Sequence, residues 1–588
     1  MSTLRRPPAP NRRTTLVPQL GSFGLLLALP ALLAAPPAFA GSREGELALR
    51  LQQVEDRAAG SSRLPDTHAV PAFDAGTYRR HLRSADAQRR AVLPARSGSI
   101  AGVLHWPSIS LRPEELITDQ RGLEDRLAWK HIGWAQRGVP TAAVTSHGVP
   151  QWLHAYRLGL LRPSDRETAE GALRYLSPRP HPDPKMTLSQ KALIDPAFLA
   201  EVREWVAQRG GIVPLDSYNT TRQEWRVAQA TGALPSGPLP HQRVWGGKDR
   251  GFDIFDEAGL PRLPTTPLVR DPVALTDSVL AMLRAAPGAR KVMLKIPDSS
   301  AGGGNRELEL PEGFATASAS EQEALVRESL LRGPNAADGS SAEDWQRYRA
   351  EAQRAGVFAE LFGDAKRAPS FQGCVQPDGS VEAISTHLQG FADPQDPRRL
   401  SRQGTVYRGG QYPAPPEDRW ALQAIGLATG QELARRGIFG PFGVDTLITP
   451  SGIVVLETNL RTVGNTGPQH ALRTLVPGRY DLTQGAWISA ASRKPMSYMT
   501  ADRVTAQADL LGLDAQRAIE VVRQAGLEFD HRRETGVALY MLPMLAINGQ
   551  LGATAIAHSP EEADEMFQET ARVLTRAAQQ PPAGRALH

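Results

Sequence analysis

The stretch that decides how this chain is read is Gly443 to Arg461, GVDTLITPSGIVVLETNLR. Two β-branched, apolar runs, Gly443 to Ile448 and Ile453 to Thr458, flank Pro450-Ser451-Gly452. The pattern predicts a β-hairpin. A three-residue hairpin loop is commonly a type I turn closed by a residue in the left-handed region, a position that suits Gly452. With that loop Thr449 pairs with Ile453, and the register running outward sets Asp445 directly across from Glu457. Side chains alternate along a strand, so Glu457 and Asn459 share a face. Two carboxylates and an amide oxygen at cross-strand distance are hard oxygen ligands, of the kind Mg²⁺ uses when it also holds nucleotide phosphates. Arg461 follows on the same face, placed to hold an anion. The competing reading is an acidic face turned to water. Against it stands the cost of like charges opposed in a sheet, which a cation between them relieves.

Composition bounds what surrounds this hairpin. A chain of 588 residues is too long for one ordinary domain, and two to four are expected. Hydrophobic content of 41% and charged content of 22% are those of a globular protein. Lys and Arg number 67 against 62 for Asp and Glu, and Arg5, Arg6, Arg12 and Arg13 supply most of the excess. The body is therefore near neutral, with no electrostatic case for nucleic acid. The single cysteine, Cys374, excludes an internal disulfide framework and a cysteine metal cluster. The first forty residues read as an export leader: basic residues, the apolar run Phe23 to Ala40, and Ala38-Phe39-Ala40 as a small-x-small cleavage site. Arg12-Arg13 also permits a twin-arginine reading. No later segment is long enough to span a bilayer.

Along the rest of the chain, strands at Ser99–Leu104, Thr141–Ser146 and Ile212–Leu215 alternate with helical stretches at 113–137, 149–161 and 196–209. That alternation predicts a parallel α/β domain over 41–240, closed by the Pro-rich boundary Leu234 to His241. Residues 241–494 predict an α+β core. It starts with a short strand before Gly246-Gly247-Lys248 and a helix stopped by Gly259. A helix at Asp277–Ala286 and strands at Val292–Ile296 and Val357–Phe362 follow. A second hairpin lies around Pro377-Asp378-Gly379, then a helix Trp420–Gly437. Residues 495–588 predict a small C-terminal α+β domain, with helices at 515–525 and 560–578 and a strand at Val537–Leu545.

Three further pieces carry chemistry. The loop Asp298 to Asn305 places Ser299, Ser300, Gly302, Gly303, Gly304 and Asn305 after a strand that carries Lys295 near its end. Unobstructed backbone N–H groups, two hydroxyls and an amide suit anionic oxygens. The spacing is neither that of a Walker A loop nor GxGxxG. Lys248, at a glycine-flanked position ahead of a helix, is the second piece. The third is VFAELF, Val357 to Phe362, whose interior Glu360 and strand edges could meet a purine.

Taken in this order, with the hairpin last, the four pieces resemble the ATP-grasp superfamily. Lys248 precedes EAGLP, Lys295 precedes SSAGGGN, VFAELF occupies the inter-domain strand, and Asp445 is followed by Glu457-Thr458-Asn459. FQGCVQPDGSVEAISTHLQ, GGQYP at Gly409 to Pro413, and TGVALYMLPMLAINGQLGATAIAHSPEEA narrow the resemblance to the pheganomycin-type peptide ligases. IAGVLHWPSISLRPEEL, Ile100 to Leu116, is similar to the opening of their pre-ATP-grasp domain. The chain departs from that family at Gly467 in GNTGP and at Tyr540-Met541, where relatives tend to carry histidines.

The resemblance implies an N-terminal α/β pre-ATP-grasp domain, a core of two lobes clasping ATP, and a small C-terminal domain. It implies ATP and Mg²⁺ as cofactors and carboxylate and amine substrates, joined through an acylphosphate. Lys248 and Lys295 would hold phosphates under the Ser299–Asn305 flap. Glu360 and Leu361 would meet adenine, and Asp364 the ribose. Asp445, Glu457 and Asn459 would hold the metal, and Arg461 would steady the acylphosphate. A non-catalytic exported binding protein on this scaffold and an ATP-grasp phosphotransferase are the alternatives. The leader implies export, and the ATP requirement implies the cytoplasm.

Overall fold

The computed structural model describes residues 100–110, 120–248, 250–286, 289, 291–297, 304–332, 342–361, 365–377, 379–392, 400–401, 407–450 and 452–580. The leader at 1–40, the flap residues Ser299, Ser300, Gly302 and Gly303, and Asp364 lie outside them. No helix among the described residues is long and apolar enough to cross a membrane.

The alternation expected of the first domain produces a parallel sheet. Strands β1 (Val103–Trp106), β2 (Thr141–Val144), β3 (Leu173–Leu176), β4 (Pro214–Ser217) and β5 (Leu234–Pro235) lie in the order β3-β2-β1-β4-β5. All four neighbouring pairs are parallel. Sequence reading overlooked β3 and the helix Pro163–Ala172 before it, because that helix is polar on nearly every side and buries only Ala169. The C-terminal end of β4 meets the core, where the Ser217 and Tyr218 carbonyls accept from Thr462.

The core holds two further sheets. Strands β6 (Lys291–Lys295), β7 (Asn305–Glu309) and β8 (Phe358–Leu361) form a three-stranded antiparallel sheet in the order β7-β6-β8. The helices Pro272–Ala285, Ala319–Arg332 and Ala342–Ala355 cover it, with Leu280, Leu294, Val326, Trp345 and Tyr348 in one apolar cluster. The large sheet runs β14-β13-β9-β10-β12-β17-β16-β15. Its members are β9 (Pro369–Val375), β10 (Val381–Ala392), β12 (Tyr407–Tyr412), β13 (Gly440–Thr449), β14 (Gly452–Asn459), β15 (Gly478–Asp481), β16 (Ala486–Ser489) and β17 (Pro495–Ala501). Strand β11 (Leu400–Ser401) pairs with β10, and β18 (Gly536–Tyr540) and β19 (Gly552–Ala557) extend the sheet from β17. The expected boundary at 494/495 thus falls between two paired strands, β16 and β17, and the last hundred residues continue the core sheet. Small residues let this happen: Gly409 faces the Thr500 carbonyl so closely that a Cβ there would lie 2.0 Å from it.

Two local expectations are corrected. The strand expected before Gly246 is a 3₁₀ helix, Pro240–Gly246. Pro240 pre-sets helical φ at its first position, and the Gln242 side chain accepts the Leu239 N–H at 2.9 Å. The strand expected over Val537–Leu545 stops at Tyr540, where Met541 turns at φ +57°, and a short helix, Met544–Asn548, follows Pro543.

The long helix Pro416–Arg435 lies against β9 and β10 through positions without side chains. A Cβ on Gly426 would lie 2.1 Å from the Phe371 ring, and one on Gly430 would lie 2.4 Å from Val381. Glycine to alanine in a helix ordinarily stabilises by about 1 kcal/mol. Gly426→Ala should instead destabilise by about 1–3 kcal/mol, since overpacking outweighs propensity here. A thermal melt reads the sign, and an unchanged or raised Tm would contradict this packing.

Candidate functional site

The hairpin forms with the expected cross-strand pair, by a different route. Thr449 pairs with Gly452, so the turn is one residue shorter than expected, and Gly452 takes φ +126°. A β-bulge between Asp445 and Thr446 then restores the lost residue, leaving Leu456 as the extra one. Asp445 stands opposite Glu457, and Gly443 opposite Asn459. Asn459 Nδ2 donates to Asp445 Oδ2 at 2.9 Å and to Glu457 Oε1 at 3.3 Å.

Two lysines from different elements close on this pair. Lys248 follows the 3₁₀ helix, and its backbone N–H donates to the Pro297 carbonyl at 3.2 Å, at the root of the flap. Its Nζ donates to Asn305 Oδ1 at 2.9 Å and lies 3.8 Å from Glu457 Oε2. Lys295 ends β6, directly across from Asn305 on one side and Phe358 on the other. Its buried Nζ donates to the buried Glu360 carboxylate. The two lysines, Asn305, Glu360, Asp445, Glu457 and Asn459 therefore come together, as does Gly304, whose carbonyl accepts from Ile296 N–H at 3.0 Å. The expectation of open strand edges on VFAELF does not hold for the described part. Strand β8 pairs with β6 on one edge, and the Leu361 N–H donates to the Pro264 carbonyl at 2.9 Å on the other.

Three contributors were not anticipated. Gln389, on β10, donates from Nε2 to Asp445 Oδ1 at 2.6 Å. Tyr218, just past β4 of the first domain, lies beneath Arg461, with the guanidinium carbon 5.5 Å from its ring centre. Its carbonyl also accepts the Thr462 N–H at 2.9 Å. Val463 packs over Gly443, where a Cβ would come within 2.9 Å of it. Alternation along β10 puts Gln389 on the face of His387, which is paired to Ser370 beside Asp445, but the pairing of β9 with β13 that completes this path is not written in the sequence. Nothing local to Tyr218 could reveal a contact with a residue so far along the chain.

Against this geometry the comparisons are specific. A curated relative, the L-propargylglycine–L-glutamate ligase of Streptantibioticus cattleyicolor, is 28% identical over 405 residues, which is 66% of this chain and 76% of the relative. A family described as the PGM1 C-terminal domain matches residues 517–570. The chain is thus similar to an amino acid ligase over about two thirds of its length. Solved ATP-grasp enzymes resemble it at lower levels. An L-amino acid ligase from Bacillus licheniformis is 13% identical at TM-score 0.41, covering 80% of this chain and 97% of its own. The biotin carboxylase domain of the 2-oxoglutarate carboxylase of Hydrogenobacter thermophilus, in complex with MgADP, is 12% identical at TM-score 0.44, covering 79% and 88%. Likeness of that strength decides nothing about the site.

The donor set itself tests whether a metal fits. Asp445 and Glu457 are half-buried and directly opposed. Desolvation, and then the neighbouring Glu457 charge, push the Asp445 carboxyl up to about 8. Desolvation also works against the Glu457 carboxylate, but Lys248, Lys295 and Arg461 outweigh it and hold Glu457 below its ordinary range. The raised Asp445 and lowered Glu457 favour one proton shared by the opposed pair. Among the described residues no group of three or more His, Cys, Asp or Glu could hold a metal. Two carboxylates and an amide oxygen fit Mg²⁺, which completes its shell with phosphate oxygens and water. Asn459 carries that oxygen on the other arm of the amide now donating to both acids.

The raised Asp445 pKa has a signed consequence. A group whose folded pKa exceeds its unfolded value stabilises fully at low pH and loses that contribution as pH rises through the folded value. Glu457 has the opposite sign, and its contribution is lost only on acidification below the ordinary glutamate range. Between about pH 5.5 and 8.5 the pair's effect therefore comes from Asp445. Across that window the Tm of metal-free wild type should fall relative to that of Asp445→Asn, because the buried histidines with lowered pKa add the same slope to both. Equal slopes would contradict the shared proton.

Proposed function

We propose that this protein is an ATP-dependent carboxylate–amine ligase that works through an acylphosphate. The observation that carries the reading is the opposed Asp445–Glu457 pair with Lys248 set 3.8 Å from Glu457 and bonded to Asn305 at the flap root. One side of the cleft is built for a cation and the other for phosphate. The curated relative is named as a ligase of two amino acids, which supports the same reaction class.

Lys248 and Lys295 would pair with the α- and β-phosphates, and Glu360 would hold the Lys295 ammonium in place. Gly304 and Asn305, with Ser299, Ser300, Gly302 and Gly303, would form the flap over the γ-phosphate. Leu361, half-buried at the end of β8, would lie toward adenine. Mg²⁺ held by Asp445, Glu457 and Asn459 would neutralise charge on the β- and γ-phosphates. A substrate carboxylate oxygen attacks the γ-phosphorus as the bond to the β-bridging oxygen breaks, giving ADP and an acylphosphate. Arg461, backed by Tyr218, would carry charge developing on the acylphosphate oxygens. The amine nitrogen of the second substrate then attacks the acyl carbon, inorganic phosphate leaves, and the amine loses its proton to solvent. Positioning and charge do most of this, so no nucleophilic triad is required.

Hydroxylamine replaces the amine in such a reaction and traps the acylphosphate as a hydroxamate. Purified protein given MgATP and pooled L-amino acids with hydroxylamine should form hydroxamate. Glu457→Gln should lower that rate by at least about a hundredfold, the scale of losing one charge-stabilising group. ATP consumption without hydroxamate, yielding a stable phosphoester, would overturn the ligase reading in favour of a phosphotransferase.

A further inference from the structure

The two positions where this chain departs from its family, Gly467 and Tyr540-Met541, meet in space around Arg126 of the N-terminal domain. A Cβ on Gly467 would lie 2.3 Å from the Arg126 carbonyl oxygen, so only glycine lets the two segments approach. Arg126 Nη2 then reaches Asp502 Oδ2 at 2.7 Å and the Gly464 carbonyl at 3.4 Å. Tyr540 donates its hydroxyl to the other Asp502 oxygen at 3.0 Å. Below this contact Leu123 packs on Tyr540, Met541 and Met544, and Leu542 N–H donates to Asp125 Oδ2 at 3.3 Å.

Three features mark this as more than a domain weld. First, the ion pair is reachable, with 18% of the Arg126 side chain and 23% of the Asp502 side chain exposed. A pair so placed contributes only about 0–1 kcal/mol to stability. Second, it adjoins the reaction centre: Gly464 is three positions past Arg461, at most about 11 Å of chain. Third, the next residue, Asn465, is 3% exposed and has an amide oxygen without a hydrogen-bond partner. Its amide lies over Gly410, where a Cβ would come within 2.7 Å of it. Gly410 in turn pairs with Gln389, the residue bonded to Asp445.

We propose that Arg126 binds the free carboxylate of the amine co-substrate, with Asp502 and Tyr540 orienting its guanidinium and Asn465 accepting an N–H of the same molecule. Arginine suits this role because its fork matches a carboxylate bidentately. An amino acid or a short peptide held there by its carboxylate would present its amine toward Arg461 and the acyl carbon. The proposal rests on the ligase reading, and hydroxylamine separates the two, because it has no carboxylate for Arg126 to hold.

The test uses the full chain, MgATP and the L-amino acid that serves best as amine, alongside its C-terminal amide. Arg126→Ala should raise KM for the amino acid by about 30-fold, as expected for loss of a hydrogen bond to a charged group. Hydroxamate formation with hydroxylamine should stay within about twofold of wild type. In wild type the amide should be the poorer acceptor, and in Arg126→Ala the two should be equal. Tyr540→Phe, which keeps the packing, should raise KM for the amino acid by about 3–10-fold with kcat unchanged. An unchanged amino acid KM in either folded variant, or a wild type indifferent to amidation, overturns the proposal. Failure of wild type to form hydroxamate overturns the ligase reading itself.

Discussion

Two carboxylates face each other across one hairpin, and the rest of the site follows from that unfavourable fact. Asp445 and Glu457 are opposed by strand register, and register is fixed by the apolar face that both strands bury, where Val444 and Val455 join the core with Phe371 and Phe442. Shifting the pairing by one residue would turn the whole apolar set outward. The fold therefore pays for the charge opposition with its core. Lys248, Lys295 and Arg461 sit around Glu457, while Asn459 and Gln389 donate to Asp445. A cation between the acids would relieve their opposition, the part proposed for a nucleotide-bound Mg²⁺.

The same centre gives the N-terminal domain its role. In open parallel sheets, ligands gather outside the carboxyl ends of the strands. Here the carboxyl end of β4 supplies Tyr218 beneath Arg461 and a carbonyl for Thr462. Behind it Asp216 is buried with Lys130 and His105, at 2.5 and 3.1 Å. Desolvation opposes the Asp216 charge, but the Lys130 ammonium and the His105 contact hold it far below the usual carboxylate range. A buried charge so satisfied is a fixed point, because removing any one partner strands the others. The cleft is thus built from several directions: Lys295 from the small sheet, Lys248 from the turn after the 3₁₀ helix, acids from the hairpin, and the Arg461 support from the first domain.

Much of this was legible in the sequence, for reasons that differ from residue to residue. The hairpin was readable because alternation and turn chemistry are local. The opposition of Asp445 and Glu457 survived an error in turn length only because a bulge compensated for it. The five-stranded parallel sheet followed from strand–helix alternation. The order of the pieces, Lys248, Lys295, Glu360 and then the hairpin, carried the superfamily. Gln389, Tyr218 and Arg126 were missed because their partners lie 56, 243 and 376 residues along the chain (Asp445 − Gln389, Arg461 − Tyr218, Asp502 − Arg126). The continuity of the sheet from β12 to β17 was also hidden, since it depends on a glycine allowing close backbone approach, and glycine in a sequence does not say what it approaches.

The most direct measurement of the central claim is proton release on binding preformed MgADP at about pH 7, by titration calorimetry in two buffers of different ionisation enthalpy. With Asp445 raised to about 8, most of the protein carries the shared proton before binding. A cation between the acids should expel it, giving a release approaching one proton per site, and Asp445→Asn should bind with none. Tight MgADP binding by wild type with no proton released would contradict the account.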